Sequence, residues 1–389
     1  MRNKLIFILL IFSATIGLAQ ENACRKSTEG TDFWFGFMEN RTSHEKRFTE
    51  ITVTAKEKTT FRIFIGPNEN QFGSAYTVEA NDSAQVRILK DSLKAEGSED
   101  KEPKGIRLVS EKPVNVYALN WDINSADVAV IYPVASLGKE YFAMCYYPDI
   151  DPANPISGNG RNSQFLVVAT EDFTRVEITP SKVTALLMPA DTTFPVYLDK
   201  GEIYQVQSEN LMGTGKEGQG DLTGSFIKAD KPVAFYSGSL ATRVPSNVCC
   251  WDHLYEQIPP IHSWGREYFT VPLKSREQDR YRIMAAEDNT TVTISGRGPI
   301  QLDRGKFKEI VLFQDEPKRI FADKPVLVAQ FSQSNHIDST YTGGDGDPFM
   351  IILSSTAQTK NDVTFVTYQS PEIEFENFEY TGIKKYFVN

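Results

Sequence analysis

The chain has little cysteine, little histidine and no excess of positive charge, and each shortage excludes a class of protein. Four cysteines in 389 residues are too few to hold the fold together, so the fold must rest on apolar cores. Four dispersed histidines form none of the known metal-protease motifs. The net charge of −10 argues against nucleic acid and against anionic lipid surfaces as partners.

Long apolar runs are also missing, apart from one at the N-terminus. There, an apolar stretch at residues 5–12 follows two basic residues, and small residues end it at Ala19. This is the pattern of a secretory signal peptide, and the stretch is shorter than the roughly 20 residues of a membrane span. We expect cleavage after Ala19 and a protein that is secreted or held at the cell surface, without a membrane span. A lipid anchor at Cys24 is the alternative, which the polar residues before it disfavour.

Three sequence signals recur three times in the same order, which indicates three divergent copies of one module. The first is an opening motif, a glycine followed by an acidic and two aromatic residues. The second is a pair of apolar–polar runs joined by a charged tip, which predicts a hairpin. The third is Lys-Pro-Val, where proline is expected to open a strand because it loses no ladder hydrogen bond there. The opening motifs start at Gly30, Gly138 and Gly265, the hairpins at Ile51, Leu166 and Ile283, and the Lys-Pro-Val sites at Lys112, Lys231 and Lys324.

The repeated order predicts an all-β protein made of three tandem, divergent β-sandwich-like modules packed together. A β-propeller-like array is the alternative, but the repeat is far longer than the ~40–50 residues of one blade. We expect a signal peptide at 1–19, an N-terminal linker at 20–26, modules at 27–130, 131–257 and 258–345, and closing C-terminal strands at 346–389.

Polar insertions interrupt the strand pattern at residues 90–104, 149–162 and 210–224. We expect these segments to be surface loops and the first sites of limited proteolysis. In an oxidising compartment the cysteines allow two disulfides in three alternative pairings. They are Cys24, Cys145, Cys249 and Cys250.

Four stretches, spread over nearly the whole mature chain, resemble a known family. They are GTDFWFGFMEN at 30–40, CWDHLYEQIPP at 250–260, WGREY at 264–268 and GDPFM at 346–350. They resemble the IgGFc-binding protein N-terminal domain family, in the form of a bacterial secreted member, although Trp251 interrupts the family's Cys-Asp-His-Leu pattern. The resemblance implies an extracellular binding module. It does not imply that this chain binds antibody, because function does not follow from fold.

No catalytic set of residues emerges, so the sequence predicts a binding or adhesion protein and no enzyme. Nucleophile elbows and phosphate-cradling glycine loops are missing. The acidic pairs Glu171-Asp172 and Glu287-Asp288 recur at the same tip in two copies, which favours a role in turns. A secreted polysaccharide-active enzyme is the alternative, and it would need two carboxylates roughly 5–10 Å apart in a groove.

Aromatic residues and one Asp-His pair are the candidates for ligand binding. Successive aromatic residues offer a platform for sugars or protein, although strand alternation would bury about half of them in the core. The alternative role of the Asp-His pair is to lock, by hydrogen bonds, the linker between modules that lies ahead of the opening motif at Gly265. The candidates are Trp34, Tyr146, Tyr147, Trp251, Asp252 and His253.

The sequence predicts no metal and no cofactor. The residues Cys249, Cys250, His253 and His262 fit the spacing of no common zinc site. A glycine-rich acidic segment is the one calcium candidate, through Asp338, Asp345 and Asp347, and a solvated turn explains it equally well. The expected partner is an extracellular protein or glycan.

Overall fold

The computed structural model describes residues 27–40, 47–89, 93–122, 125–148, 161–209, 219–245, 248, 250–273, 276–313, 317–334 and 347–359. Within these residues the chain forms three sheets, each curled into a half-barrel, so the prediction of an all-β protein with sandwich-like modules is confirmed. The predicted signal peptide at 1–19 lies outside the described residues.

Each sheet takes its strands from one stretch of the chain, with one exception. The first sheet contains β1 (Gly30–Phe35), β2 (Arg47–Ala55), β3 (Thr59–Ile65), β4 (Asn70–Val78), β5 (Asp82–Ile88), β7 (Ile106–Asp122) and β8 (Ser125–Ile131). The second contains β9 (Gly138–Phe142), β10 (Ser163–Ala169), β11 (Thr174–Thr179), β12 (Phe194–Leu198), β13 (Ile203–Gln207), β14 (Phe226–Thr242) and β15 (Asp252–Gln257), joined by β6 (Lys101–Glu102). The third contains β16 (Gly265–Phe269), β17 (Gln278–Ala285), β18 (Thr290–Ile294), β19 (Ile300–Leu302), β20 (Phe307–Phe313), β21 (Arg319–Ser332) and β22 (Phe349–Ile352).

We call the strands of one sheet a module, except that β6 is counted with the first module, from which it crosses to the second sheet, and all three modules share one topology. In the second, the first part of β14 pairs with β9 and β11, and its later part pairs with β10 and β15. The long strands β7 and β21 change partners in the same way. Of the predicted closing strands, β22 pairs with β21, and residues 360–389 lie outside the description. The module boundaries themselves stay a prediction.

The three Lys-Pro-Val sites lie in the middle of the long strands, so the prediction that they open strands is wrong. Pro232 falls between the segment of β14 that ends its pairing at Ala229 and the segment that resumes at Val233. A strand that changes partners at this point needs no ladder bond from the proline nitrogen. Pro113 and Pro325 occupy the same place in β7 and β21.

The predicted hairpins are also wrong as pairings, although their strands exist. The strands β10 and β11 do not pair with each other, because both pair with β14, one on each half. The charged tip between them therefore arches from one layer of the sandwich to the other. Apolar alternation identifies strands and their buried faces, but it does not say which strands are neighbours.

The modules share apolar cores across both junctions. One core joins Phe33 and Phe37 of the first module to Leu166 and Tyr255 of the second. Another includes buried residues of the second and third modules, among them Phe165 and Phe331. The modules are therefore packed together, as the sequence predicts.

The prediction of a surface loop at 90–104 is wrong for residues 93–105, which we call the strap. Its strand β6 pairs with β13 of the next module, and Leu93 and Ala95 are buried. In the predicted loop at 210–224, Asp221, Leu222 and Thr223 are also buried. Polar composition misleads here because these side chains bond across the junctions between modules. Residues 149–160 and 210–218 lie outside the description.

Candidate binding surface

Three of the aromatic candidates are buried and form no surface platform. Trp34 in β1 pairs with Arg107 of β7, whose guanidinium lies 5.8 Å from the indole ring. Tyr146 and Tyr147 pack against each other with tilted rings in the core of the second module, with ring centroids 4.3 Å apart. The positions of these three residues support the alternative, which is burial in the core.

The two tyrosines help to enclose Arg282, a buried charge that joins the second and third modules. Its guanidinium lies 4.2 Å from the ring of Tyr146 and 2.8 Å from the carboxylate of Asp221. It also lies 3.0 Å from Glu309 and donates to the carbonyl of Cys145 at 2.7 Å. The pair of acids raises the pKa of Arg282 despite its burial, so the charge is kept.

Asp252 and His253 lock the first module to the second. Asp252 Oδ1 accepts hydrogen bonds from the backbone of Ala126 at 2.8 Å and of His253 at 2.7 Å. His253 Nδ1 lies 3.1 Å from the carbonyl of Leu240, which can only accept, so Nε2 accepts from Asn120 at 3.1 Å. Burial lowers the pKa of His253 to about 3, and burial together with the charge of Asp347 raises that of Asp252. The geometry places the pair at the junction of the first and second modules, not in the linker ahead of Gly265, and leaves neither side chain exposed for a ligand.

Trp251 is the remaining aromatic candidate and is partly exposed. The guanidinium of Arg161 lies 4.8 Å from its ring. Because Arg161 is buried and Trp251 is only partly exposed, the pair offers a ligand little surface.

Of the candidates for calcium and disulfides, the structure describes Asp347, Cys145 and Cys250. Asp338, Asp345, Cys24 and Cys249 lie outside the described residues, and within those residues no three metal-ligating side chains converge. Calcium therefore stays a prediction. Cys145 carries a buried free thiol, so two disulfides cannot form, and a single one stays a prediction.

The recurring acidic pairs serve as turn residues in both copies. Asp172 Oδ1 accepts from the backbone of Lys200 at 3.2 Å, and Asp288 Oδ1 accepts from that of Arg304 at 2.9 Å. Each acid thus fixes the turn that precedes β13 or β20. The structure gives them the turn role that the repeat predicts.

Within the described part of the chain, an exposed aromatic surface lies beside β11 and β12. Phe173 is 80% exposed at the tip before β11, and Tyr197 is exposed opposite Arg175, with which its side chain shares a hydrogen bond. We call Phe173, Arg175 and Tyr197 the aromatic patch. Phe173 has a φ of 54°, a left-handed conformation that suits Asn289, which has a φ of 53° at the equivalent tip. A strained, exposed phenylalanine indicates a functional residue.

A second exposed apolar feature is the apolar turn, residues 185–190 with the sequence ALLMPA. Leu186 and Leu187 are 67% and 71% exposed, whereas runs of apolar residues are rare on protein surfaces without a function. Glu99 of the strap holds the turn, accepting from Thr184 Oγ1 and from the backbone of Leu186, both at 2.9 Å. The connection between β11 and β12 is 180–193, longer than 66–69 or 295–299 in the other modules.

Comparison with known proteins places the chain in a family. The family model described as IgGFc binding protein matches residues 127–381, which is more than half of the chain. The chain belongs to the IgGFc-binding protein family. The resemblance seen in the sequence is thereby confirmed at the level of the family, and a bacterial origin stays a prediction.

One curated relative in this family is the human IgGFc-binding protein, 26% identical over 354 residues. The match covers 88% of this chain but only 6% of the human protein. Among solved structures, the FN1–FN3 domains of chicken CNTN1 cover 82% of this chain at 10% identity, with a TM-score of 0.12. No helix among the described residues is long and apolar enough to cross a membrane.

The family match includes both the junction pair Asp252 and His253 and the two exposed features of the second module. Sequence reasoning found the junction residues because they belong to the family motif, but it missed the exposed ones. Two signals were present. The run ALLMPA lies between polar residues inside a long connection, and Phe173 stands where the third copy has Asn289.

Proposed function

We propose that this chain is an extracellular protein-binding member of the IgGFc-binding protein family, exported by its signal peptide at 1–19 and acting without catalysis. Family membership and the name of the human relative support a binding role. Because the chain spans 6% of that relative's length, antibody binding is itself part of what must be tested.

The aromatic patch is the observation that carries this proposal. Protein interfaces concentrate their binding energy in tyrosine, tryptophan and arginine side chains, surrounded by contacts that exclude water. Phe173, Arg175 and Tyr197 supply such a set on one surface of the second module. The aromatic residues that the sequence offered as a platform for sugars or protein are largely buried, so the proposal of a protein ligand is supported by the exposed patch and by the family.

The test is binding of the Fc fragment of human IgG, chosen because the relative is named for it, measured by biolayer interferometry. We expect F173A/Y197A to weaken binding at least about tenfold, the loss typical of a central interface residue. The control is F313A, which removes another exposed phenylalanine from a different module. Hydrolysis of a glycan array that is lost on changing one carboxylate would contradict the proposal and favour the polysaccharide-active alternative.

A further inference from the structure

Among the described residues, one face of the third module is open where the equivalent faces of the other two modules are covered. The last aromatic residue of the opening motif pairs, in each module, with the equivalent residue of the long strand. The pairs are Trp34 with Arg107, Phe142 with Phe226, and Phe269 with Arg319. Trp34, Phe142 and Phe269 are 3%, 4% and 52% exposed, respectively. The same position is therefore buried twice and open once.

In the second module, the cover is a turn of the module that follows. The guanidinium of Arg304 lies 4.9 Å from the ring of Phe142 and 4.6 Å from that of Phe226. Gly305 lies so close that a Cβ there would be 2.7 Å from the ring of Phe142. The contact is thus made by a tight turn with a basic residue and a glycine at its tip.

The first module receives the equivalent turn of the second. Gly105 donates to the carbonyl of Gly201 at 2.9 Å, and Lys200 Nζ lies 2.7 Å from Glu69. A Cβ on Gly201 would lie 2.7 Å from the backbone of Gly66. Both junctions therefore use one contact, in which a basic-glycine turn enters beside the opening strand.

The third module cannot receive a turn of this kind. A Cβ on Gly105 or Gly224 would lie 2.7 or 2.8 Å from the carbonyl oxygen of the incoming glycine. These glycines stand two positions before the paired residues Arg107 and Phe226. In the third module, the residue two positions before Arg319 is Pro317, which carries a Cβ and no N–H. The open face, Phe269, Val271, Arg319 and Phe321, thus needs a different occupant.

The open face is apolar and its charges are already neutralised. Phe269, Val271 and Phe321 are all exposed, while Arg319 pairs with Glu267 and lies 5.0 Å from the ring of Phe321. A partner that fits this surface brings apolar side chains and no net charge. The apolar turn of the second module has both properties, and Glu99 fixes its backbone before it binds.

We propose that the apolar turn of one copy of this chain docks on the open face of a second copy. Leu186 and Leu187 then cover Phe269 and Phe321, at the position where a turn covers Phe142 and where the equivalent Trp34 is buried. Because the two surfaces differ, the contact is heterologous and joins copies head to tail. The proposal is independent of the ligand that the aromatic patch binds.

Analytical ultracentrifugation over a range of concentrations tests this proposal. We expect the wild-type mass to rise with concentration, and both L186S/L187S and F269S/F321S to weaken association at least about tenfold. F313S, another exposed phenylalanine of the third module, is the control and should associate like the wild type. All these side chains are exposed, so thermal unfolding should show the variants folded.

A mixture of the two double variants separates this contact from any other. L186S/L187S keeps its open face and F269S/F321S keeps its apolar turn, so the mixture should form 1:1 pairs that do not grow further. A wild type that stays monomeric at about 100 μM, far above the Kd of a specific contact, would overturn the proposal. So would undiminished association of either double variant, or a mixture that stays monomeric.

Discussion

Arg282 carries a full charge into the junction between the second and third modules, and its partners keep it there. Its guanidinium is bound to Asp221 and Glu309 and to the carbonyl of Cys145. Replacing one partner of a buried ion pair is costly because the other charge stays behind without compensation. We expect R282M to lower the free energy of unfolding by about 3–5 kcal/mol, measured by urea denaturation.

The matched control for that variant is R319M, which also removes an arginine that pairs with a glutamate. Arg319 and Glu267 lie at the surface, where water screens the pair, so little change in unfolding is expected. Equal losses in the two variants would contradict the special role of Arg282.

His253 gives the fold a pH dependence with a defined sign. Its pKa falls from 6.5 to about 3 on folding, because burial disfavours the charged ring. The unfolded chain therefore binds more protons between these values, and the contribution of His253 to stability is complete above pH 6.5 and is lost as pH falls toward 3. We expect H253N to lose this part of the slope of unfolding free energy against pH. An unchanged slope from pH 6.5 to 4 would contradict a neutral, buried His253.

At the scale of elements, the prolines in the long strands mark the places where those strands change partners. Pro232 lies between two paired segments of β14, whereas Ala234 pairs with Val168 within one of them. We expect P232A to change stability by at most about 1 kcal/mol, and A234P to cost about 3 kcal/mol or more. Thermal unfolding of both variants checks this. A larger loss in P232A than in A234P would contradict the partner change at the proline.

The strands show most clearly what could be predicted from the sequence and what could not. Alternation and turn residues predict the strands around Ile51, Leu166 and Ile283, because period-2 burial leaves a local record in the sequence. Their neighbours were not predictable, since the long strands with which they pair come about 45 to 70 residues later and no local signal encodes pairing. The prediction that the strap is a surface loop was wrong for a related reason. Its polar residues bond to another module, which a reading of local composition takes for solvent exposure.

At the scale of the whole molecule, glycines set how closely the modules approach. Gly105 faces the carbonyl of Gly201 across the first junction with no room for a side chain. We expect G105V to destabilise the protein and to speed proteolysis within the strap, which should resist cleavage in the wild type. Gly97, in the same strap, has open space around its Cβ position and a φ of 68°, so G97N is the control with a small effect. Cleavage of the wild-type strap as fast as of G105V would contradict the packing.

The candidate site consists of residues that the three modules do not share. Residues that recur in all copies, such as the opening glycines, serve the scaffold and the junctions. The exposed patch and turn occur in the second module alone, so the repeat helps to find them by what it leaves unexplained. Their exposure could not be predicted, because burial of a residue such as Phe142 depends on a turn from the next module.

We propose that the family motif holds the modules together while the aromatic patch binds protein. The most direct test measures Fc binding and unfolding free energy on the same two variants. We predict that F173A/Y197A loses binding at unchanged stability. We predict that D252A, which leaves the N–H groups of Ala126 and His253 without their acceptor, loses stability by about 1–3 kcal/mol but binds normally while folded. Full binding by F173A/Y197A together with lost binding by folded D252A would contradict the account.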